Sequence, residues 1–176
     1  LQTILNRVEK YKSFVYAGAR WAEVPGQPPA LEIEVRARAN GRAVCSGCGK
    51  KRPGYDRLPP RKFEFVPLWG LAVFFVYALR RVDCPECGVT AEQVPWCQGK
   101  QQHTRTYQWF LAQWARRLSW QEVARVFHSS WQSVREAVKH AVFWGLVHHE
   151  WSDVRTLGID EIAWRKGHSY LTLVYQ

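Results

Sequence analysis

Two matched cysteine pairs, Cys45-Ser-Gly-Cys48 and Cys84-Pro-Glu-Cys87, have the residue type and spacing to bind a metal ion. Four thiolates with no other ligand suit a closed tetrahedral zinc, a structural site with no position open to water. Iron in a rubredoxin-like arrangement is the chemical rival, because neither geometry nor ligand softness excludes it. A glycine follows each pair, Gly49 and Gly88, and its backbone freedom lets amides turn toward sulfur. Cys97 has no partner at such spacing and reads as an ordinary buried thiol. Five cysteines in a chain without a signal peptide argue against a disulfide framework and for metal plus one spare thiol.

Strands must position these knuckles. Leu31-Glu-Ile-Glu-Val-Arg-Ala-Arg38 alternates as a half-buried strand does, and Asn40-Gly41 before Arg42-Ala-Val-Cys45 predicts a two-residue hairpin turn. The run from Leu71 to Arg81, rich in aromatic and β-branched residues, predicts a strand leading into Cys84. Each pair then follows a strand, the pattern of a zinc ribbon. The longest apolar run, Phe65 to Leu79, contains Pro67 and Gly70 and is too short to span a bilayer; two buried strands explain it.

From Thr104 the periodicity becomes helical. Tyr107, Phe110, Leu111, Trp114 and Leu118 recur at three- and four-residue steps, with Arg116 and Arg117 near the end. Ser119-Trp-Gln-Glu122 predicts a capping box opening a second helix with Val123, Ala124 and Phe127 inward. A third helix is expected from Ser130 or Trp131 to about His149, with Val134, Ala137, Val138, Ala141 and Val142 buried. These lengths fit a helix-turn-helix whose last helix reads DNA. Its exposed residues would be Gln132, Ser133, Arg135, Glu136 and Lys139, with Gln132 and Arg135 suited to bidentate contacts on adenine and guanine. Beyond Val154, two strands joined by a hairpin are expected, and Asp160-Glu161 ends the first apolar stretch, where a carboxylate could bind a divalent metal.

The charge fits a polyanionic partner. The chain of 176 residues carries a formal +10 and its composition is 47% hydrophobic with ten Trp, too apolar for a disordered chain. Between Arg36 and Lys62 nine Lys or Arg (Arg36, Arg38, Arg42, Lys50, Lys51, Arg52, Arg57, Arg61 and Lys62) stand against one acid, Asp56. That stretch reads as a surface for phosphates. Double-stranded DNA is the expected partner, with no membrane and no small-molecule substrate, and a cytoplasmic location is expected. Met is absent, so Leu1 is not a translation start and the chain reads as a piece of a longer one.

The order of these motifs resembles a known family. Cys45-x-x-Cys48; Arg80-Arg81-Val-Asp-Cys84-Pro-Glu-Cys87-Gly88; Glu122-Val-Ala-Arg-x-Phe127 with Ser130-Trp131-x-x-Val134; and Gly158-Ile-Asp160-Glu161 with Lys166-Gly167-His168-x-Tyr170 together resemble bacterial insertion-sequence transposases of the "ISL-three" family. The resemblance implies an α+β chain in three parts. These are an N-terminal β-rich zinc ribbon over residues 1–99, a helix-turn-helix over 100–150, and the first β-hairpin of a ribonuclease-H-like catalytic domain over 151–176. It implies Asp160 as the first carboxylate of an Asp-Asp-Glu triad that uses two Mg²⁺ ions, with the other two acids beyond Gln176, so that this chain binds DNA without cutting it. It also implies binding to terminal inverted repeats and a homodimer in the functional complex. A non-catalytic zinc-containing regulator, or a transposase remnant, is the alternative that the residues allow. A third reading makes the ribbon a protein-interaction module.

Overall fold

A computed structural model describes residues 1–23, 28–150, 152, 155–165, 167 and 169–175. The architecture is α+β, and its contacts divide the chain into two units, Leu1–Ala141 and Val142–Gln176.

The first unit is built on a four-stranded sheet. Helix α1 (Gln2–Val8) precedes β1 (Phe14–Ala22) and β2 (Ala30–Ala37), and the sheet is completed by β6 (Arg61–Leu68) and β7 (Leu71–Tyr77) in the order β1-β2-β7-β6. β1–β2 and β6–β7 are antiparallel, whereas β2 and β7 run parallel. Alternation sends Phe14, Ile33, Val35, Phe63, Phe65, Val73, Phe75 and Tyr77 into one core. Trp96, 1% exposed, lies at its centre. Phe14, Phe63, Phe75 and Tyr77 all meet the indole edge to face at centroid distances of 4.8–6.4 Å. Such pairs add about 0.5–1.5 kcal/mol each beyond the area they bury.

The segment between β2 and β6 carries β3 (Ala43–Val44), β4 (Lys51–Arg52) and β5 (Gly54–Arg57); β8 (Arg80–Cys84) and β9 (Gly88–Ala91) follow β7. β3 pairs with β4, and β8 is flanked by β5 and β9. Each cysteine pair therefore sits at the tip of a short hairpin, as the spacing predicts.

Two sequence expectations need correction. Asn40-Gly41 does not join two paired strands, because β2 pairs with β1 and β7 while β3 pairs with β4. The Gly41 amide donates to the Arg38 carbonyl at 2.8 Å, and Gly41 is absent from the positive-φ positions. This turn redirects the chain from one sheet to the next. The two-residue hairpin is Trp69-Gly70, both at positive φ (51° and 79°), with Leu68 opposite Leu71. That is the pair of left-handed residues a type I′ turn requires. The stretch 71–81 also divides at 78–79, so β7 serves the large sheet and β8 the cysteine hairpins.

Two helices and the first part of a third complete this unit. α2 (Arg105–Trp114) opens on Thr104, whose hydroxyl accepts from the Tyr107 amide. α3 (Trp120–Val126) has the predicted capping box, with the Ser119 hydroxyl and Glu122 carboxylate each meeting the other's amide. α4 (Trp131–His148) begins where the Ser130 hydroxyl accepts from the Ser133 amide at 3.1 Å. Their core is Tyr107, Leu111, Ala112, Val123, Ala124, Val134 and Ala137. Trp114 and Val142, expected on the buried stripes, are 41% and 55% exposed. The buried core ends with Ala137, Ala141 is partly buried against it, and the Trp114 ring lies against Phe110 and Phe127 at its edge. His128, at φ 51°, turns the chain between α3 and α4. The helices are tied to β6, since the Glu64 amide donates to the Gln102 carbonyl and the Thr104 amide to the Glu64 carbonyl.

The second unit contains an antiparallel hairpin of β10 (Gly158–Arg165) and β11 (Ser169–Tyr175), as expected. Lys166 and His168 of the sequence motif lie outside the described residues.

Candidate metal centre and basic surface

One ligand atom from each of Cys45, Cys48, Cys84 and Cys87 lies within 4.8 Å of every other. The Cys48 and Cys84 sulfurs are 3.6 Å apart, near the roughly 3.8 Å edge of a tetrahedron with metal–sulfur bonds of about 2.3 Å. Cys45 and Cys84 are buried and Cys87 is exposed. The donor set and its closure fit a metal ion held for structure. Gly49 and Gly88 sit at φ 70° and 71°, the left-handed turn that the sequence motif requires.

Crowded thiols ionise unequally. Burial opposes the Cys84 thiolate, but the amides of Glu86 and Cys87 and the Cys48 and Cys45 thiols carry its pKa down to about 6. Burial and the neighbouring Cys45 and Cys84 push Cys87 up to about 12. A divalent cation removes this conflict by stabilising all four sulfurs as thiolates together.

The glycine inside the first knuckle is equally constrained. A Cβ on Gly47 would stand 2.8 Å from the Cys87 sulfur, so the two knuckles meet where only a hydrogen fits. Gly47→Ala is expected to push Cys87 out of the ligand set and weaken metal affinity on the order of 10-fold or more. A chelator-competition titration checks this; wild-type affinity in the variant would refute it.

Around the cluster, the basic stretch read from the sequence proves to be partly neutralised. Lys50 Nζ and an Arg52 Nη both reach a Glu86 oxygen, at 2.7 and 2.8 Å, and Arg52 also approaches the Cys48 sulfur at 4.0 Å. The Lys50 contact holds the Glu86 carboxyl below its usual range. Four thiolates around a divalent ion leave two negative charges, and Lys50 and Arg52 stand where they offset them. Lys62 binds the buried Glu32, shared with Arg20, on the outer face of the sheet. Arg61 donates to the carbonyls of Lys100 and Gln101. Arg42 and Lys51 are exposed and have no ion pair among the described residues. Glu86 went unread as a partner, although its place inside Cys84-Pro-Glu-Cys87 was a signal.

On the helices, Arg116 and Arg117 are exposed beside a groove with Phe110, Gln113 and Trp114. Gln132 is exposed on the first turn of α4, while Ser133 is held in the cap by Ser130. Arg135 and Lys139 both approach Glu136, at 3.8 and 3.3 Å. Exposed pairs of this kind contribute about 0–1 kcal/mol, so a phosphate or base can displace them. Asp160 lies on β10 opposite Leu173, shares a hairpin face with Ile162 and Leu171, and accepts from the Glu161 amide at 2.8 Å. Among the described residues it belongs to no metal-binding cluster of three or more groups.

The fold and site define an α+β protein with a four-cysteine centre that could hold a metal ion. Its relatives say more. Over 153 residues the chain is 31% identical to the transposase of insertion sequence element IS1557 from Mycobacterium tuberculosis, matching 85% of this chain and 34% of that protein. Over 155 residues it is 26% identical to the transposase of IS1001 from Bordetella parapertussis, matching 88% of this chain and 37% of that protein. By sequence the chain is related to the insertion-sequence transposases. It spans about a third of the length of these relatives. No family model and no solved structure matches it. No helix among the described residues is long and apolar enough to cross a membrane.

Proposed function

We propose that this chain is the DNA-binding portion of an insertion-sequence transposase of the ISL-three type, holding the element's terminal inverted repeats for transposition. The observation that carries the reading is its likeness to insertion-sequence transposases along 85–88% of its length. A basic chain with exposed arginines at Arg116 and Arg117 supports it. In this reading residues 1–99 form a zinc ribbon, 100–150 a helix-turn-helix and 151–176 the opening hairpin of a ribonuclease-H-like domain. Zinc at Cys45, Cys48, Cys84 and Cys87 folds the ribbon. α3 supports α4, and the turn at His128 takes the place that glycine often fills in such motifs. Gln132 and Arg135 read base edges; Lys139, Arg116, Arg117, Arg42 and Lys51 contact phosphates. Asp160 is the first triad carboxylate, and Mg²⁺ chemistry belongs to the complete catalytic domain. A homodimer that pairs two ends in the cytoplasm completes the proposal.

The test is a binding titration against a duplex carrying the element's inverted repeat and a scrambled duplex of equal length. Arg135→Ala is expected to shrink the preference for the repeat by about 10-fold, since a bidentate base contact contributes roughly 1–3 kcal/mol of discrimination. Lys51→Ala is expected to weaken both duplexes alike and lower the salt slope by about 1. Equal affinity of the wild-type chain for both duplexes would refute repeat recognition.

A further inference from the structure

A groove of about 370 Å³ opens beside the α1–β1 connection, where Lys10, Lys12 and Arg42 line it. All three are exposed, and none has an ion pair or hydrogen bond from its charged group among the described residues. This sets them apart from Lys50, Arg52 and Lys62, whose charges are met by Glu86 and Glu32. Two further charged groups line the groove, Arg80 and Glu92, and they satisfy each other. Arg80 donates to both Glu92 oxygens and to the Gly41 carbonyl. Glu9, the acid next to Lys10, is occupied by the Tyr11 and Thr106 hydroxyls. Glu9 keeps its negative charge but makes no ion pair with Lys10, Lys12 or Arg42, so the groove keeps three cationic groups with no acid in contact among the described residues and a net positive charge. Its apolar wall of Tyr11, Phe14, Val44 and Pro95 excludes part of the water that would screen them.

Three like charges in one concavity repel one another until an anion enters. Long, flexible cations around an open groove match an extended row of phosphates better than a buried carboxylate, which would need fixed donors. We infer that Lys10, Lys12 and Arg42 clamp the phosphodiester backbone of duplex DNA in this groove, independently of base sequence. The inference rests on the reading of the chain as a DNA-binding protein and adds a contact that joins the N-terminal segment to the cysteine hairpins.

The test uses the full metal-loaded chain and a fluorescent duplex of arbitrary sequence, with affinity measured across a range of KCl concentrations. For the variant Lys10→Gln/Lys12→Gln/Arg42→Gln, the slope of log affinity against log salt is expected to fall by about 2–3, because each phosphate contact supplies roughly 0.9. Preference between duplex sequences should stay as in the wild type. An unchanged slope in a variant with wild-type metal content overturns the inference and leaves the DNA-binding reading standing. Failure of the wild-type chain to bind any duplex overturns both. If the triple variant loses its metal, the single variants Lys10→Gln and Lys12→Gln decide the matter: a slope loss of about 0.9 in each supports the clamp, and none refutes it.

Discussion

Cys84→Ser is expected to release the metal and unfold both cysteine hairpins. The Cys84 sulfur sits at the buried end of β8, 1% exposed, and faces Cys48 at 3.6 Å. A serine hydroxyl is a poor ligand for a soft ion, so three sulfurs would remain around an incomplete shell. The hairpins have little else to hold them. β3 and β4 are two residues each, and the core between the knuckles is Ala43, Cys45, Val82 and Cys84. Four small or medium side chains, two of them ligands, cannot replace a metal whose binding contributes roughly 10–16 kcal/mol in small zinc domains. Metal analysis of the wild-type chain should give about one zinc per chain, and the variant near zero. Protease digestion should then cut first within 43–57 and 80–91, leaving the three-helix segment intact longer. Chelator treatment of the wild type should reproduce the pattern. A Cys84→Ser chain with a full metal complement and wild-type melting would end the four-thiolate proposal.

The cysteine centre was legible because its information is local: four residues, two spacings and two following glycines specify the knuckles without reference to the rest of the chain. The helices were legible for a similar reason, since the capping box at Ser119 and Glu122 and the apolar stripe through Tyr107 and Leu111 repeat within a few turns. What failed depended on pairing across distance. Asn40-Gly41 has the composition of a hairpin turn, but turn residues choose a bend and strand partners choose what the bend connects. β2 found its partners in β1 and, 42 residues on, in β7. Trp69-Gly70, a pair with no asparagine and a bulky residue at positive φ, took the hairpin geometry because Leu68 and Leu71 pair across it. Charge was misleading in the same way. Counting cations from Arg36 to Lys62 leaves out Glu32 and Glu86, the acids that folding brings to Lys62, Lys50 and Arg52. The set of exposed cations without an ion pair among the described residues is therefore smaller than the sequence implies, and it includes Lys10 and Lys12, which stand outside the counted stretch.

The second large effect is expected at Glu92, which joins the cysteine hairpins to the large sheet. Glu92 follows β9, and its side chain is 1% exposed. One carboxylate oxygen accepts from the Tyr77 hydroxyl at 2.6 Å and from the Arg80 amide at 2.8 Å; both oxygens accept from the Arg80 guanidinium. Burial first, and then the Glu92 carboxylate, raise Tyr77 well above the ordinary tyrosine range, so that it stays a donor. Arg80 carries the network on to the Gly41 carbonyl, at the turn entering β3. Tyr77 belongs to β7, Arg80 to β8 and Gly41 to the β2–β3 connection, so this one carboxylate fixes the point where the chain crosses between sheets. Glu92→Ala leaves a guanidinium, 14% exposed, without its counter-charge and a buried hydroxyl without its acceptor. Removing one partner of such a pair costs about 3–5 kcal/mol, a lowering of the melting temperature on the order of 10 °C for a chain of this size. The double variant Glu92→Leu/Arg80→Leu removes the unpaired charge along with the pair and is expected to recover much of that loss, because a buried ion pair contributes less than its broken half costs. Thermal unfolding of the metal-loaded proteins, followed by circular dichroism, measures all three. If Glu92→Ala melts within about 2 °C of the wild type, the network is not the joint between the sheets. If the double variant is less stable than Glu92→Ala, the cost lies in lost hydrogen bonds rather than in the stranded charge.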